Sequence, residues 1–195
     1  AGACNAASYV SRQHGRGQRI ALTYAPDKRY MSARNLFTRG RSVFGMDFIF
    51  ERIPSELEPF DYDTFYATGT RTVIGVTDVA TGAPLYVDNP PRETLNTYFR
   101  ASSSIPLFSP IVRVDGLLLL DGGVADPIPF AQALTQVDKV VVVLTRCRDY
   151  QKRPAPAPWA YRRALRAHPQ MAETCARRHE VYNAQRAQLD RLVQE

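Results

Sequence analysis

The sequence predicts an α/β protein whose sheet is covered by helices on both faces. Two patterns support this class. Short β-branched segments are interspersed with longer segments whose apolar residues have helical spacing. Residues 139–144 are a lysine followed by five aliphatic residues, and such a run is typical of a strand that is buried on both faces. A strand of that kind needs helices above and below it.

The N-terminal third is predicted to be mostly helical, with one short strand. Residues 3–13 place small side chains on one side of a helix, which ends at Gly15 and Gly17. Residues 20–24 alternate between larger and smaller side chains and predict a short strand. Residues 27–57 mix aromatic and charged side chains at roughly helical spacing, so we expect an irregular helical cap there.

The middle of the chain predicts a hairpin between two helices. Asp61 is a good N-cap for a short helix over 61–67. Residues 70–79 and 84–87 are strand-forming segments separated by a turn signal, and they predict the hairpin. Residues 91–103 begin with a proline and end before another one, which predicts the second helix.

A second hairpin is predicted around Asp115-Gly116. This dipeptide suits a type I′ turn, in which both central residues have positive φ. Residues 112–114 and 117–120 on either side of it are apolar enough to form the two strands. A short helix over 128–134 is expected to follow.

The C-terminal segment differs from the rest of the chain in charge. Residues 1–145 contain 14 basic and 14 acidic residues, whereas residues 146–195 contain 11 and 5. The net charge of +6 therefore lies entirely in the C-terminal segment. We expect a domain over 1–150 and a basic helical segment over 151–195 that packs on it. The basic face fits contact with anionic lipid or nucleic acid, and it equally fits a solvated helical surface.

Composition excludes several classes of protein. The 195 residues are 45% hydrophobic and 10% aromatic, which is too apolar for a disordered chain. The longest apolar runs, 117–120 and 140–144, are far shorter than the roughly 20 residues that span a bilayer. Cys4, Cys147 and Cys175 lie far apart and show neither metal-ligand nor disulfide-framework spacing. This usage favours a reducing compartment, so we expect a cytoplasmic protein.

Histidine chemistry is not indicated by the sequence. His14, His168 and His179 have no metal-ligand spacing and no carboxylate pattern near them. Neither a metal centre nor a Ser-His-Asp triad can be assembled from them. The three side chains are therefore interpreted as surface histidines.

Asp121 is the most promising catalytic candidate. It ends a strongly apolar strand and is followed by Gly122 and Gly123, which allow a sharp turn and leave space for a substrate or a partner side chain. A carboxylate at a strand end would lie at the edge of the sheet, where α/β proteins build their sites. The spacing alone also fits an ordinary turn.

The surroundings of Asp121 resemble the patatin-like phospholipase family. A helix ending in Arg100-Ala-Ser-Ser-Ser-Ile-Pro106 precedes a hairpin and then Asp121-Gly-Gly-Val-Ala-Asp-Pro-Ile-Pro129. In that family this order belongs to the segment that supplies the catalytic aspartate. The resemblance continues from residues 44–48 to residues 140–145. It implies a patatin-like sheet with helices on both faces.

The first residues extend the resemblance to the nucleophile. Ala1-Gly2-Ala3-Cys4-Asn5-Ala6 is similar to the segment that follows the serine in the Gly-x-Ser-Ala-Gly elbow of the bacterial branch. Ala1 and Gly2 would be the last two residues of that elbow. The resemblance then implies that the serine directly precedes Ala1, with a strand and a glycine-rich oxyanion loop further upstream and a last strand after Glu195. The 195-residue chain alone is expected to be inactive.

The function implied by the resemblance is hydrolysis of fatty-acyl esters of phospholipids or related lipids, with no metal and no organic cofactor. Asp121 would be the general base of a Ser-Asp dyad. The aromatic residues between Tyr30 and Phe50 would lie over the acyl site, although such a stripe also fits a core. The serines at 102–104 lack a nucleophile setting and are expected to bond backbone groups. Asp126 is expected to be a helix N-cap.

A second hypothesis needs no catalysis. The basic segment, with Arg162-Arg163 and Arg177-Arg178, could make the protein a module that binds anionic membranes or nucleic acid. No RNA-binding motif or helix-turn-helix pattern accompanies these arginines, so nucleic acid is not the expected partner. Peripheral contact with an anionic membrane is also compatible with the hydrolase.

Overall fold

The computed structural model of the chain describes residues 2–33, 35 and 42–193. Ala1, the first residue of the expected elbow remnant, lies outside these residues. Part of the expected helical cap, residues 34 and 36–41, lies outside them as well.

The chain begins with two helices, α1 (Gly2–Val10) and α2 (Arg16–Tyr24). Helix α2 contradicts the strand predicted for residues 20–24. Ile20 and Tyr24 are four residues apart and both half-buried, while Leu22 between them is 71% exposed. In a strand all three side chains would lie on one face, whereas in a helix Leu22 lies opposite Ile20 and Tyr24. The alternation along five residues did not distinguish the two, and the predicted strand was wrong.

The segment after residue 42 forms a wide helix and then a regular one. Residues Phe48–Leu57 form a π-helix that buries Phe48, Phe50 and Ile53. Helix α3 (Tyr62–Ala67) follows, and Asp61 caps it by accepting a hydrogen bond from the Thr64 N–H at 2.8 Å. The predicted N-cap is confirmed.

Four antiparallel strands form one sheet in the order β2-β1-β4-β3. Both predicted hairpins are present, and β1 and β4 join them in the centre. Asp115 and Gly116 have φ of 49° and 77°, as a type I′ turn requires. The strands are β1 (Val73–Asp78), β2 (Pro84–Asp88), β3 (Val112–Val114) and β4 (Leu117–Asp121).

Helices cover both faces of this sheet, which confirms the predicted α/β class. On one face, Val76 and Leu119 belong to a core shared with α1, α3, the π-helix and α4 (Arg92–Ala101). On the other face, Leu120 packs with Met171 and Cys175. Met171 and Cys175 belong to the long helix α7 (Pro169–Leu192), which follows α6 (Pro158–Ala164).

Residues 139–144 do not form the predicted buried strand. They follow α5 (Phe130–Leu134) in an irregular conformation, and no strand in the described part of the chain pairs with them. Val140 and Val142 pack against Ile128 and Phe130, whereas Val141 is 91% exposed and Val143 is 86% exposed. An apolar run predicts apolar neighbours but does not supply the backbone partner that a strand needs.

Candidate active site

Asp121 is held at the end of β4 by hydrogen bonds from three directions. Its N–H donates to the Ser104 carbonyl at 2.9 Å. Its own carbonyl accepts from Thr77 Oγ1 at 2.8 Å. The side chain accepts from the Gly123 N–H through Oδ1 at 2.7 Å. Because the backbone N–H, the backbone carbonyl and the side chain of Asp121 all make hydrogen bonds, its carboxylate has a defined position at the end of the central strand β4.

The two glycines after Asp121 have different structural roles. A Cβ on Gly122 would lie 2.3 Å from the carbonyl oxygen of Gly75 in β1, so the backbones meet where a side chain would be. Sequence reasoning expected that space to admit a substrate or a partner side chain, and the backbone of β1 fills it instead. A Cβ on Gly123 would lie 3.0 Å from Asp121 Oδ1 and 3.6 Å from Arg178 Nη2. Gly123 therefore separates a carboxylate from a guanidinium.

An apolar cavity of about 460 Å³ adjoins Asp121. Its walls come from α1, α2, the π-helix and α4, and Asp121 is the only carboxylate that lines it among the described residues. Tyr30, from the aromatic segment, lines it as well. The largest apolar side chains in the wall are Ile20, Phe44, Met46, Ile49, Phe50, Ile53, Phe60, Phe99 and Ile105.

The first turns of α1 reach the same cavity. Cys4 and Asn5 line it, and Cys4 Sγ lies 3.8 Å from Ser103 Oγ. Gly2 begins the helix, and a Cβ there would have open space around it. The start of α1 and the end of β4, which are far apart in sequence, therefore meet at one apolar cavity.

Ser104 and Asp126, which the sequence analysis also considered, both make hydrogen bonds within the protein. Ser104 is fully buried, and its hydroxyl donates to the Arg100 carbonyl at 2.9 Å. Asp126 is not a helix cap, which corrects the prediction. Its carboxylate accepts hydrogen bonds from the Tyr86 hydroxyl and the Gln185 amide. Burial raises the pKa of Tyr86, and the hydrogen bond to Asp126 raises it further. The prolines that follow Asp126 disfavour helical backbone before them, so α5 starts four residues later.

Two arginines near the site were missed by sequence reasoning. Arg16 is 7% exposed, lines the cavity and donates through Nη2 to the Glu58 carbonyl at 2.7 Å. Arg178 lies on α7, where its Nε is buried with no hydrogen-bond partner in the described part of the chain. A usable signal existed for Arg178, because it follows Cys175 by three residues and so shares its buried helix face.

Three negative findings apply to residues 2–33, 35 and 42–193. They contain no group of three or more His, Cys, Asp or Glu side chains that could hold a metal ion. No histidine of this part of the chain lines the cavity. None of its helices has the length and apolar character needed to cross a membrane.

Comparison with known proteins identifies the family. The profile described as Patatin-like phospholipase matches residues 1–134. The chain belongs to the patatin-like phospholipase family. This match includes α1, the cavity walls and Asp121-Gly122-Gly123. The chain is also 28% identical over 148 residues to "Uncharacterized protein YjjU" of Escherichia coli (strain K12). The aligned region is 74% of this chain and 41% of that relative, so the chain spans less than half of the relative's length.

Proposed function

We propose that this chain is part of a lipid acyl hydrolase, in which it binds the acyl group and supplies Asp121 as the general base. One observation carries the proposal. A single carboxylate of the described residues borders an apolar cavity of about 460 Å³, beside the first turns of α1. Fatty-acyl chains suit such a cavity, since burial of each methylene contributes about 0.8 kcal/mol.

The proposed nucleophile is a serine directly preceding Ala1, as the family resemblance implies. Asp121 Oδ1 already accepts a hydrogen bond, whereas Oδ2 has no hydrogen-bond partner among the described residues. The carboxylate can therefore take the serine proton as the hydroxyl oxygen attacks the ester carbonyl. The proton then passes to the leaving alcohol, and the acyl group stays on the serine until water releases it. The positive end of the α1 dipole favours the negative charge that develops there.

The test uses the natural translation product that contains residues 1–195. Asp121→Asn keeps the size of the side chain but removes its basicity, and we expect kcat on p-nitrophenyl octanoate to fall by about 100-fold or more. The KM should change little, because the cavity is intact. The matched control is Asp138→Asn, an exposed residue of the same type. An Asp121→Asn variant that keeps more than about a tenth of the activity would contradict the proposal.

A covalent label locates the nucleophile independently of turnover. A fluorophosphonate that carries an alkyl chain should modify the serine before Ala1, and peptide mass spectrometry gives the position. The 195-residue chain alone should release no p-nitrophenol. Release by that chain at a rate abolished by Asp121→Asn would place the nucleophile within these residues and exclude the dyad as proposed.

The alternative function is a basic module that binds anionic membranes through residues 146–195. The charge excess of this segment favours it, but several of its arginines are already paired, with Glu180 or Asp190 as partners. Vesicle and oligonucleotide binding at two salt concentrations tests it, since binding driven by phosphate charge weakens steeply with salt. Membrane binding without hydrolysis by the natural product would favour this alternative.

A further inference from the structure

Arg178 is an unusual member of the basic segment because it points inward. It lies on α7 three residues after the buried Cys175. Its Nη2 is 3.6 Å from the position of a Cβ on Gly123, and its Nε is buried with no hydrogen-bond partner in the described part of the chain. The neighbouring Arg177 instead points outward and pairs with Glu180 at 2.9 Å.

Two further cations lie on a loop that packs against α7 one helical turn after Arg178, where the ring centres of Tyr150 and Tyr182 are 5.8 Å apart. Lys152 is fixed by its backbone, which exchanges two hydrogen bonds with the Asn183 side chain at 2.9 and 3.0 Å. The Lys152 ammonium is 5.6 Å from the centre of the Tyr182 ring. The Arg146 guanidinium is 5.1 Å from the centre of the Tyr150 ring. We call Arg146, Lys152 and Arg178 the basic cluster.

The basic cluster is not neutralised by ion pairs in the described part of the chain. None of its three residues forms an ion pair among the described residues. Burial lowers the pKa of Lys152, and the positive charges of Arg178 and Arg146 lower it further. Lys152 and Arg178 are half-buried, whereas Arg146 is exposed. Unpaired cations that are partly desolvated bind an anion more strongly than cations in open water.

We propose that the basic cluster binds the phosphate group of a phospholipid substrate. This inference rests on the proposed function, because Asp121 then marks the scissile ester. Asp121 borders the apolar cavity and is separated from Arg178 only by Gly123. In a glycerophospholipid the phosphate is only a few bonds from an ester carbonyl. The cavity and α7 lie on opposite faces of the sheet, and the turn at Gly123 lies between them at the end of β4. An ester placed at Asp121 would direct its acyl chain into the cavity and its phosphate past Gly123 towards the basic cluster.

The binding test compares two adjacent arginines in the 195-residue chain. Titration calorimetry measures affinity for dihexanoyl phosphatidylglycerol below its micelle concentration, for methyl hexanoate and for inorganic phosphate. We expect Arg178→Gln to weaken phosphatidylglycerol binding by about tenfold or more, since a charge-assisted hydrogen bond is lost. Arg177→Gln removes the same charge from the surface and should change the affinity by less than about twofold. Neither variant should affect methyl hexanoate.

Other outcomes decide between related interpretations. Equal losses in Arg177→Gln and Arg178→Gln would overturn the site, because only net charge would then matter. Inorganic phosphate that binds as tightly as phosphatidylglycerol would overturn the assignment to a lipid. If Arg178→Gln lowers the melting temperature, the calorimetry is repeated with Lys152→Gln as the test variant, because Lys152 lies on a loop outside the sheet core. Unchanged phosphatidylglycerol affinity in Lys152→Gln would then overturn the proposal.

The two proposals can fail separately. Calorimetry measures binding without turnover, so its result does not depend on Asp121 as a base. If the natural product hydrolyses p-nitrophenyl octanoate with Asp121 and Arg178→Gln leaves phosphatidylglycerol affinity unchanged, only the phosphate site is excluded. If Asp121→Asn keeps full esterase activity, the proposed dyad fails whatever the calorimetry shows.

Discussion

Thr77 in β1 donates a hydrogen bond from Oγ1 to the backbone carbonyl of Asp121 at 2.8 Å. The same hydroxyl oxygen accepts a hydrogen bond from the Ala125 N–H at 3.3 Å. Thr77 is fully buried, so water does not reach this contact. One side chain thus joins the central strand to both ends of the turn that carries the Asp-Gly-Gly sequence.

Replacing Thr77 with valine should destabilise the protein while keeping the shape of the side chain. Thr77→Val leaves a buried carbonyl and a buried N–H without this partner, which costs about 1–3 kcal/mol in the free energy of unfolding. Urea denaturation measures the loss. Thr94→Val is the control, because the Thr94 hydroxyl bond is exposed. Equal midpoints for the two variants would show that the Thr77 contact does not stabilise the turn.

Gly122→Ala should be more harmful than an alanine at another glycine of the same region. The new Cβ would lie 2.3 Å from the Gly75 carbonyl oxygen, so the backbones of β1 and the turn must separate. We expect a loss of about 1–3 kcal/mol or more. Gly116→Ala has open space but a φ of 77°, and only the backbone strain of about 1–2 kcal/mol applies to it. Thermal unfolding that ranks Gly116→Ala as the more damaging change would refute the close approach.

The three cysteines should differ in reactivity. Burial raises the pKa of Cys175 to about 12, so almost none of it is thiolate at pH 8. Cys147 is exposed and should react first with iodoacetamide. Peptide mass spectrometry over time should show Cys175 labelled only after denaturant is added. Labelling of Cys175 as fast as Cys147 in the folded protein would mean that α7 does not pack against the sheet at this position.

Two adjacent valines test the irregular conformation of residues 139–144. Val142 packs against Ile128 and Phe130, whereas Val141 is 91% exposed. Val142→Ala should cost about 1 kcal/mol, and Val141→Ala should stay within about 0.5 kcal/mol. Chemical denaturation of both variants gives the comparison. A similar loss in each would indicate that both faces of the segment are buried, as in the strand that the sequence predicted.

The features predicted well from sequence depend on interactions within a few residues. Asp61 caps α3 through a contact three residues away, and Asp115-Gly116 turns the second hairpin through its own backbone angles. The Asp121-Gly122-Gly123 turn was recognised in the same way. Such local signals are contained in short stretches of sequence, so no knowledge of the remaining fold is needed to interpret them.

The features missed depend on partners from distant parts of the chain. Asp126 bonds Tyr86 and Gln185, which are 40 and 59 positions away, instead of capping the next helix. Gly122 is required by the backbone of Gly75, and Arg178 reaches Gly123 from α7. For none of these contacts does a local sequence pattern indicate which residue is the partner. They became visible only when the strands and α7 were placed in three dimensions.

The order of the strands along the chain decides when the site forms during folding. Each hairpin joins consecutive strands, whereas Thr77 and Asp121 are 44 positions apart. Closing a longer loop costs more entropy, and pairing between distant strands slows folding. A chain that has formed both hairpins but has not joined β1 to β4 holds Asp121 without Thr77 beside it. The pairing of β1 with β4 is therefore the step in which a folding chain acquires its site.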